Sequence, residues 1–145
     1  MDIKEKAVIL QKLDTKDLVD KLHSYENSLQ KALTERMTFI STNHGFIATR
    51  DNDCLEVKRL LAELAVKTPE TNEETSKKLT VADKENWLML QRKEDKELSE
   101  AIAKQRQVAF LLDGHQITID MAKKRLEGII AVIALKTAQI NFLAS

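Results

Sequence analysis

The chain is poor in the residues that make tight turns. It has three glycines and one proline among 145 residues, whereas β-sandwiches and barrels need many short turns. Aromatic residues are also few, at 4%, beside 43% apolar and 32% charged residues. This aliphatic and charge-rich composition is typical of long helices and helical bundles. The sequence therefore predicts an all-α fold.

The chain also lacks an excess of one charge, a cysteine pair and an evident export signal. Acidic and basic side chains number 23 each, so no net field directs the protein toward nucleic acid or acidic membranes. The single cysteine, Cys54, cannot form an internal disulfide. We interpret it as a core thiol, because Val57 and Leu61 lie near it in an apolar helical segment. These features, with an N-terminus that does not resemble a signal peptide, predict a cytoplasmic protein.

One long apolar run is present, over residues 129–144. Its 16 residues are fewer than the roughly 20 that a membrane-spanning helix needs, and it contains Lys136 and Asn141. We therefore expect a buried helix here and no membrane contact.

The first 67 residues predict two amphipathic helices. The first spans residues 14–41, and residues 3–13 either form a separate helix before it or continue into it. Its apolar stripe consists of Leu18, Leu22, Tyr25, Leu29, Leu33, Met37 and Ile40. Gly45 suits a left-handed cap after this helix. The second helix spans residues 53–67 and begins with Asp53 and Glu56 at capping-box spacing. We expect the two helices to form an antiparallel hairpin, residues 1–67.

The remainder of the chain predicts one long helical segment after a polar connection. Residues 68–79 are either a linker or a short surface helix that begins at Pro69. Thr80 and Asp83 then have capping-box spacing, and a helical pattern continues from there to Leu143. Residues 80–145 are therefore predicted to be a long oligomerisation segment, within one domain overall.

The strongest pattern is a stripe with alternating steps of three and four residues, from Leu98 to Ile140. A helix needs this spacing to keep one seam against a partner helix along its whole length. The predicted oligomer seam consists of Leu98, Ile102, Ala109, Leu112, Ile119, Leu126, Ile130, Ile133 and Ile140. The stripe also contains Gln105, Gln116, Lys123 and Thr137. These are either polar layers that fix the register or exposed positions of a partly buried seam.

Asp113 and Gly114, which are turn-forming residues, lie between two positions of this stripe. Asp-Gly is typical of a β-hairpin turn, and a helical turn here would instead give an αα-hairpin of residues 80–112 against 116–143. The stripe keeps its register across Gly114, however, and one glycine in a helix costs only about 1 kcal/mol relative to alanine. We favour one long, coiled-coil-like C-terminal helix, with both hairpins as alternatives. Such a helix would be roughly 90 Å long and would need other subunits to cover it.

Patterns that support catalysis or metal binding are missing. The three histidines, His23, His44 and His115, have no set of ligands at metal-binding spacing. The three isolated glycines make no phosphate-binding loop. We expect no enzyme activity, no metal and no cofactor.

Two small groups of residues are candidates for binding a partner. Lys123, Lys124 and Arg125 form the densest basic cluster, but three consecutive residues spread over more than half of a helix circumference. A solvated face is the simpler interpretation of this cluster, and nucleic-acid contact is the alternative. Trp87 and Leu90 are candidate anchors for a partner protein, unless Trp87 packs on the N-terminal hairpin.

About the last 60 residues contain a Glu-, Lys- and Gln-rich helix between residues 86–91 (NWLMLQ) and 131–143 (AVIALKTAQINFL). This region resembles small helical accessory proteins of bacteriophages and prophages. The resemblance implies a role in DNA replication or recombination, or interference with a host defence complex. The sequence thus predicts a non-enzymatic, self-associating helical module that binds a partner protein. The alternative is a replication or recombination accessory protein that holds single-stranded DNA on an oligomer.

Overall fold

The computed structural model describes residues 2–145, without the side chains of residues 7 and 9–14. Over this range the protein is all-α and has no strands, as the composition predicts. The four α-helices are α1 (Ile3–Thr42), α2 (Leu55–Val66), α3 (Val81–Glu94) and α4 (Lys96–Ala144), and a 3-10 helix (His44–Phe46) follows α1. Helix α4 runs unbroken through Gly114, so the prediction of a long C-terminal helix is confirmed and neither hairpin forms at Asp113.

The described chain divides into two compact units. The first, which we call the paired-helix unit, consists of α1 up to Thr38 together with Gly114–Ser145. The second, the core unit, is Phe39–Asp113. This division differs from the expected hairpin of α1 with α2, because α2 belongs to the core unit. A helix of 12 residues is too short to cover the 40-residue α1, whereas the end of α4 is long enough to do so.

In the paired-helix unit the two helices are antiparallel. A groove near the start of α1 is lined by Leu18 and Val19 together with Ile133 and Ile140 of α4. The rest of α1 in this unit must therefore run back along α4 toward Gly114.

Helix α1 has its less exposed side chains at alternating steps of three and four. Within the described residues up to Thr38 they are Leu18, Leu22, Tyr25, Leu29, Ala32 and Arg36. The sequence-based stripe is right for its first four positions and for Ile40, which is half-buried, and wrong at the two positions between them. It names Leu33 and Met37, which are 36% and 69% exposed, where the structure has Ala32 and Arg36.

The core unit is built around α2. Its buried side chains are Cys54, Val57, Leu60 and Leu64, which cluster with Leu98 and Ala101 of α4. Cys54 is 1% exposed, so its predicted position in the core is confirmed. Phe46 and Leu88 pack on the edge of this cluster, and the Lys104 ammonium lies 4.1 Å from the centre of the Phe46 ring.

Asp95 separates α3 from α4, a break that the sequence analysis did not predict. Its backbone is extended, with φ −68° and ψ 118°, and its carboxylate accepts a 2.8 Å hydrogen bond from the Leu98 N–H. Because this bond satisfies an otherwise unpaired first-turn amide, Asp95 acts as the N-cap of α4. The predicted cap of α3 is confirmed: Thr80 and Asp83 form a reciprocal capping box.

Helix α1 begins at Ile3, so residues 3–13 continue into it, which is one of the two predicted alternatives, and Asp2 and Glu5 bond each other's backbone N–H at its start. Two other predicted helix ends are wrong. Gly45 lies within the 3-10 helix, and no described glycine has a positive φ, so it is not a left-handed cap. The N-cap of α2 is Cys54 without a side-chain bond, so Asp53 and Glu56 form no capping box.

The polar stretch before α3 is a folded connection without a helix. Asn72 donates from its backbone N–H to the Lys77 carbonyl at 2.8 Å, and Leu79 donates to the Glu70 carbonyl at 2.8 Å. Ser76 takes the left-handed conformation, with φ 56°, that this reversal requires. Of the two interpretations of residues 68–79, the linker is the one observed.

Candidate functional site

The inner face of α4 in the paired-helix unit is covered by the chain itself. Its least exposed side chains follow steps of three and four through Ile119, Ala122, Leu126, Ile129, Ile133 and Ile140. Ile119 is 2% exposed and Ile129 is 7% exposed. Side chains as deeply buried as Ile119 are not free to contact a second molecule.

The residues of the predicted oligomer seam fall into three groups by burial. Leu98 and Ile119 are fully buried, and Ala109 and Ile130 are exposed. The half-buried members are Ile102, Leu112, Leu126, Ile133 and Ile140. At alternate positions the buried residue is the one preceding the predicted residue, as with Val108 before Ala109 and Ile129 before Ile130.

The opposite face of α4 has a second line of residues with the same spacing, which we call the outer line. Its members are Gly114, Ile117, Met121, Lys124, Gly128, Ala131, Leu135, Ala138 and Phe142, and every one of them is exposed. Ile117 is 60%, Leu135 61% and Phe142 81% exposed. At 100° per residue the outer line lies about 160° around the helix from the inner face, and it extends for about 42 Å.

The two glycines of the outer line have no steric role within the protomer. A Cβ atom added at Gly114 or at Gly128 would meet nothing within 4 Å. Each glycine costs the helix about 1 kcal/mol relative to alanine, so their presence gives the folded chain no visible gain. Small residues on a helix face do permit another helix to approach closely.

Charged residues border the outer line on both edges. Asp120 and Glu127 lie on one edge, and Arg125 lies on the other, as their angular positions on the helix require. All three are exposed, and Asp120 accepts a 3.0 Å hydrogen bond from the Gln116 amide. Lys124 is the one charged residue within the line itself.

The predicted basic cluster does not form one cationic surface. Lys123, Lys124 and Arg125 are all exposed, but Lys124 lies on the outer line while Lys123 and Arg125 point about 100° to either side of it. A single phosphate backbone could not contact all three side chains from one direction.

A groove in the core unit brings three other basic residues together. Arg92 and Lys93 at the end of α3 line it with Arg106 of α4. The remaining lining side chains are Met89, Ser99, Ile102 and Ala103. Arg92 is already turned toward Asp53, with its Nη2 atom 3.4 Å from the carboxylate. This groove combines positive charge with apolar contact surface, which suits an acidic and partly apolar segment of a protein.

Gln105 has a structural role next to this groove. Its side-chain carbonyl accepts a 2.7 Å hydrogen bond from the Cys54 N–H, and its amide nitrogen donates to Asp53 at 3.0 Å. Among the polar residues of the predicted stripe, Gln105 is half-buried, whereas Gln116, Lys123 and Thr137 are exposed. Gln105 thus fixes the start of α2 against α4 within the core unit.

The two candidate anchors differ in exposure. Leu90 is 50% exposed, and Trp87 is half-buried. Of the described residues, those packed on the core cluster include Leu88 but not its neighbour Trp87.

The titratable side chains of the described residues were compared for clusters and for shifted pKa values. No three His, Cys, Asp or Glu side chains among them are close enough to share a metal ion. The hydrogen bond from Arg59 to Glu56 holds the pKa of the Glu56 carboxyl below its usual value and raises the pKa of Arg59. Arg59 is exposed and Glu56 is half-buried, and with Glu63 they form an ion-pair cluster on the surface of α2.

Helix α4 is long and apolar enough to cross a membrane, by length and composition. Of its most apolar 18 residues, 6% are buried. One such helix is weak evidence for a membrane, because core helices of soluble proteins have the same length and composition. The expectation that residues 129–144 form a buried helix is wrong, since Ile129 is the one buried residue in this run.

Comparison of the chain with known protein families, with curated proteins and with solved structures gives no match.

Proposed function

We propose that this protein is a non-enzymatic helical interaction module that self-associates through the outer line of α4 and binds a partner protein through its core unit. The observation that supports this most strongly is the uncovered outer line, which repeats the spacing of a helix seam but faces solvent. Small helical accessory proteins of bacteriophages are the class to which the proposal assigns it, acting in the cytoplasm.

Exposed apolar surface of this extent supports an interface. Isolated apolar side chains are ordinary on soluble proteins, but a continuous patch is a feature of association sites. Ile117, Met121, Leu135 and Phe142 follow one another along a single helix face, and the residues of the line between them are Lys124 and small residues. A second helix laid along this face would remove all four from water at once.

The basic groove of the core unit supports a protein partner with an acidic segment. Arg92, Lys93 and Arg106 converge there around Met89 and Ile102. Leu90 and Trp87 are further candidate contacts, because an exposed or half-buried large side chain near a groove can enter a partner pocket.

The angular spread of the basic cluster on α4 favours this proposal over single-stranded DNA binding. A salt titration of DNA binding tests the alternative, because affinity that depends on phosphate contacts falls steeply with salt. We expect no such binding. Steeply salt-dependent binding that is lost when Lys123, Lys124 and Arg125 are all replaced by alanine would instead establish the DNA-accessory function.

Self-association is tested by two matched aspartate variants. Ile117→Asp changes the outer line, and Ile130→Asp changes an equally exposed isoleucine of the same helix, about 140° away. Light scattering should give a chain mass of 16.5 kDa for Ile117→Asp and the oligomer mass for Ile130→Asp. The reverse result would place the contact on the face that the sequence stripe names. A monomer that binds lipid vesicles would instead make the outer line a membrane contact and overturn the proposal.

A further inference from the structure

We infer that the outer line pairs with the outer line of a second copy in antiparallel orientation, with Lys124 of each copy facing Gly128 of the other. The inference rests on the proposed self-association and specifies its geometry. It follows from the position of one charge, from two glycines and from the size of the facing residues.

Lys124 decides the orientation. In a parallel pair in register, each residue faces its own copy, so two Lys124 ammonium groups would meet within an apolar layer. Like charges brought together away from water are strongly unfavourable. A parallel pair would gain contacts between Asp120 and Arg125 at its edges, but exposed ion pairs contribute little. The antiparallel orientation removes this direct contact, because in the inferred register the two lysines lie in adjacent layers, about 6 Å apart along the helix axis.

Gly128 decides the register. When Lys124 faces Gly128, the other facing pairs are Ile117 with Leu135, Met121 with Ala131, and Gly114 with Ala138. Shifting the register by one heptad in either direction places Lys124 against Met121 or Leu135, where its charge would displace a large apolar contact. In the inferred register Lys124 instead faces a residue that has no side chain, and its aliphatic part can cross the gap.

Charge complementarity supports the same register. Glu127 immediately precedes Gly128 and lies on the edge of the line, where the ammonium group of the facing Lys124 emerges. Within the part of the chain that the structure describes, neither Lys124 nor Glu127 has an ion-pair partner. The pairing therefore places an acceptor beside the one charge that the outer line contains.

The glycines give independent support. Nothing in the protomer lies within 4 Å of a Cβ atom at either Gly114 or Gly128, so the folded chain alone does not require them. In the inferred pair each glycine lies in a layer with a lysine stem or an alanine, where the two backbones approach most closely.

Cysteine cross-linking tests the orientation directly. Ile117→Cys and Leu135→Cys are each prepared in the full chain, and Cys54 is retained because it is 1% exposed. An antiparallel pair should give a disulfide between the two variants when they are mixed, and none within either variant alone. Self-cross-linking of each single variant would establish a parallel pair. A dimer by mass without cross-links would overturn the register, whereas a monomer would overturn the proposed self-association itself.

A size substitution tests the close contact. Gly128→Leu should fold, because the protomer has open space there, but it should raise the dimer dissociation constant by about tenfold or more. Ala109→Leu is the matched control, since it adds a side chain at an exposed position of α4 that precedes the outer line. Circular dichroism reports the fold and light scattering the mass. Equal dissociation constants for the two folded variants would show that Gly128 is not in the contact.

Discussion

Gln105 shows how a distant side chain can hold the start of a helix that has no capping side chain. Cys54, the N-cap of α2, has no side-chain oxygen to accept a first-turn amide, and its own N–H is satisfied by the Gln105 side chain. The same glutamine bonds Asp53, which also faces Arg92. Gln105, a polar residue within the apolar stripe of the sequence, therefore links α4 to the start of α2 by hydrogen bonds.

We expect Gln105→Ala to lower the free energy of unfolding by about 1–3 kcal/mol, because the partly buried Cys54 N–H would lose its acceptor. Gln107→Ala, an exposed change two residues away, should have almost no effect. Urea unfolding followed by circular dichroism measures both. Equal midpoints for the two variants would refute this role of Gln105.

Neighbouring isoleucines on α4 provide a test of the inner face. Ile129 is 7% exposed and Ile130 is 52% exposed. Ile129→Asp should cost about 2–4 kcal/mol, because it forces a charge against α1. Ile130→Asp should change stability by less than about 0.5 kcal/mol. Thermal unfolding of the two variants shows which isoleucine faces α1. A larger loss of stability from Ile130→Asp than from Ile129→Asp would show that Ile130 is the inward-facing residue.

At the scale of helices, the sequence predicts the 3-4 spacing but not which of two adjacent residues faces inward. Ile129 and Ile130, or Val108 and Ala109, satisfy the pattern almost equally well. Ala122 and Lys123 distinguish the two possibilities, because alanine is often buried and lysine is almost always exposed. Position 122 is therefore the one expected to face inward. The outer line could have been found in the same way, from a second set of apolar residues on the opposite face.

Helix ends were predictable where a side chain caps the backbone in the standard way. The capping box of Thr80 and Asp83 is an example. The break at Asp95 has a similar signal, since an aspartate stands three residues before the buried Leu98, but the continuous charged pattern on both sides obscures it. The start of α2 was mispredicted because its N-cap, Cys54, is held by Gln105, about 50 residues away in the sequence, and by no local side chain.

Asp95→Ala tests this break. We expect a loss of about 1 kcal/mol, because the first turn of α4 would lose the carboxylate that accepts from the Leu98 N–H. Glu94→Ala, at the exposed last residue of α3, is the neighbouring control. Chemical denaturation compares the two, and an unchanged midpoint for Asp95→Ala would show that the break does not depend on this cap.

At the scale of the whole molecule, composition was sufficient to predict an all-α protein, but not which helices pack together. Pairing depends on length and on distant contacts. Helix α1 needs a partner of comparable length, which the last 32 residues provide and α2 does not. The sequence contains both apolar faces of α4 but does not show which of them is covered within the protomer, because that depends on contacts with distant parts of the chain.

Linkage between assembly and folding gives a further prediction for the whole molecule. If the outer line pairs two folded chains, dilution should lower the melting temperature of the unmodified protein, because binding stabilises the folded state by mass action. The Ile117→Asp variant should melt at a temperature independent of concentration. Thermal scans over a hundredfold range of concentration measure this, and identical dependence in both proteins would be inconsistent with the outer line as the contact.

Self-association through α4 is the central claim, and sedimentation equilibrium of the unmodified protein tests it most directly. The account predicts a mass of twice the 16.5 kDa chain at micromolar concentrations, falling toward the chain mass on dilution. A single mass of 16.5 kDa at every concentration would contradict it.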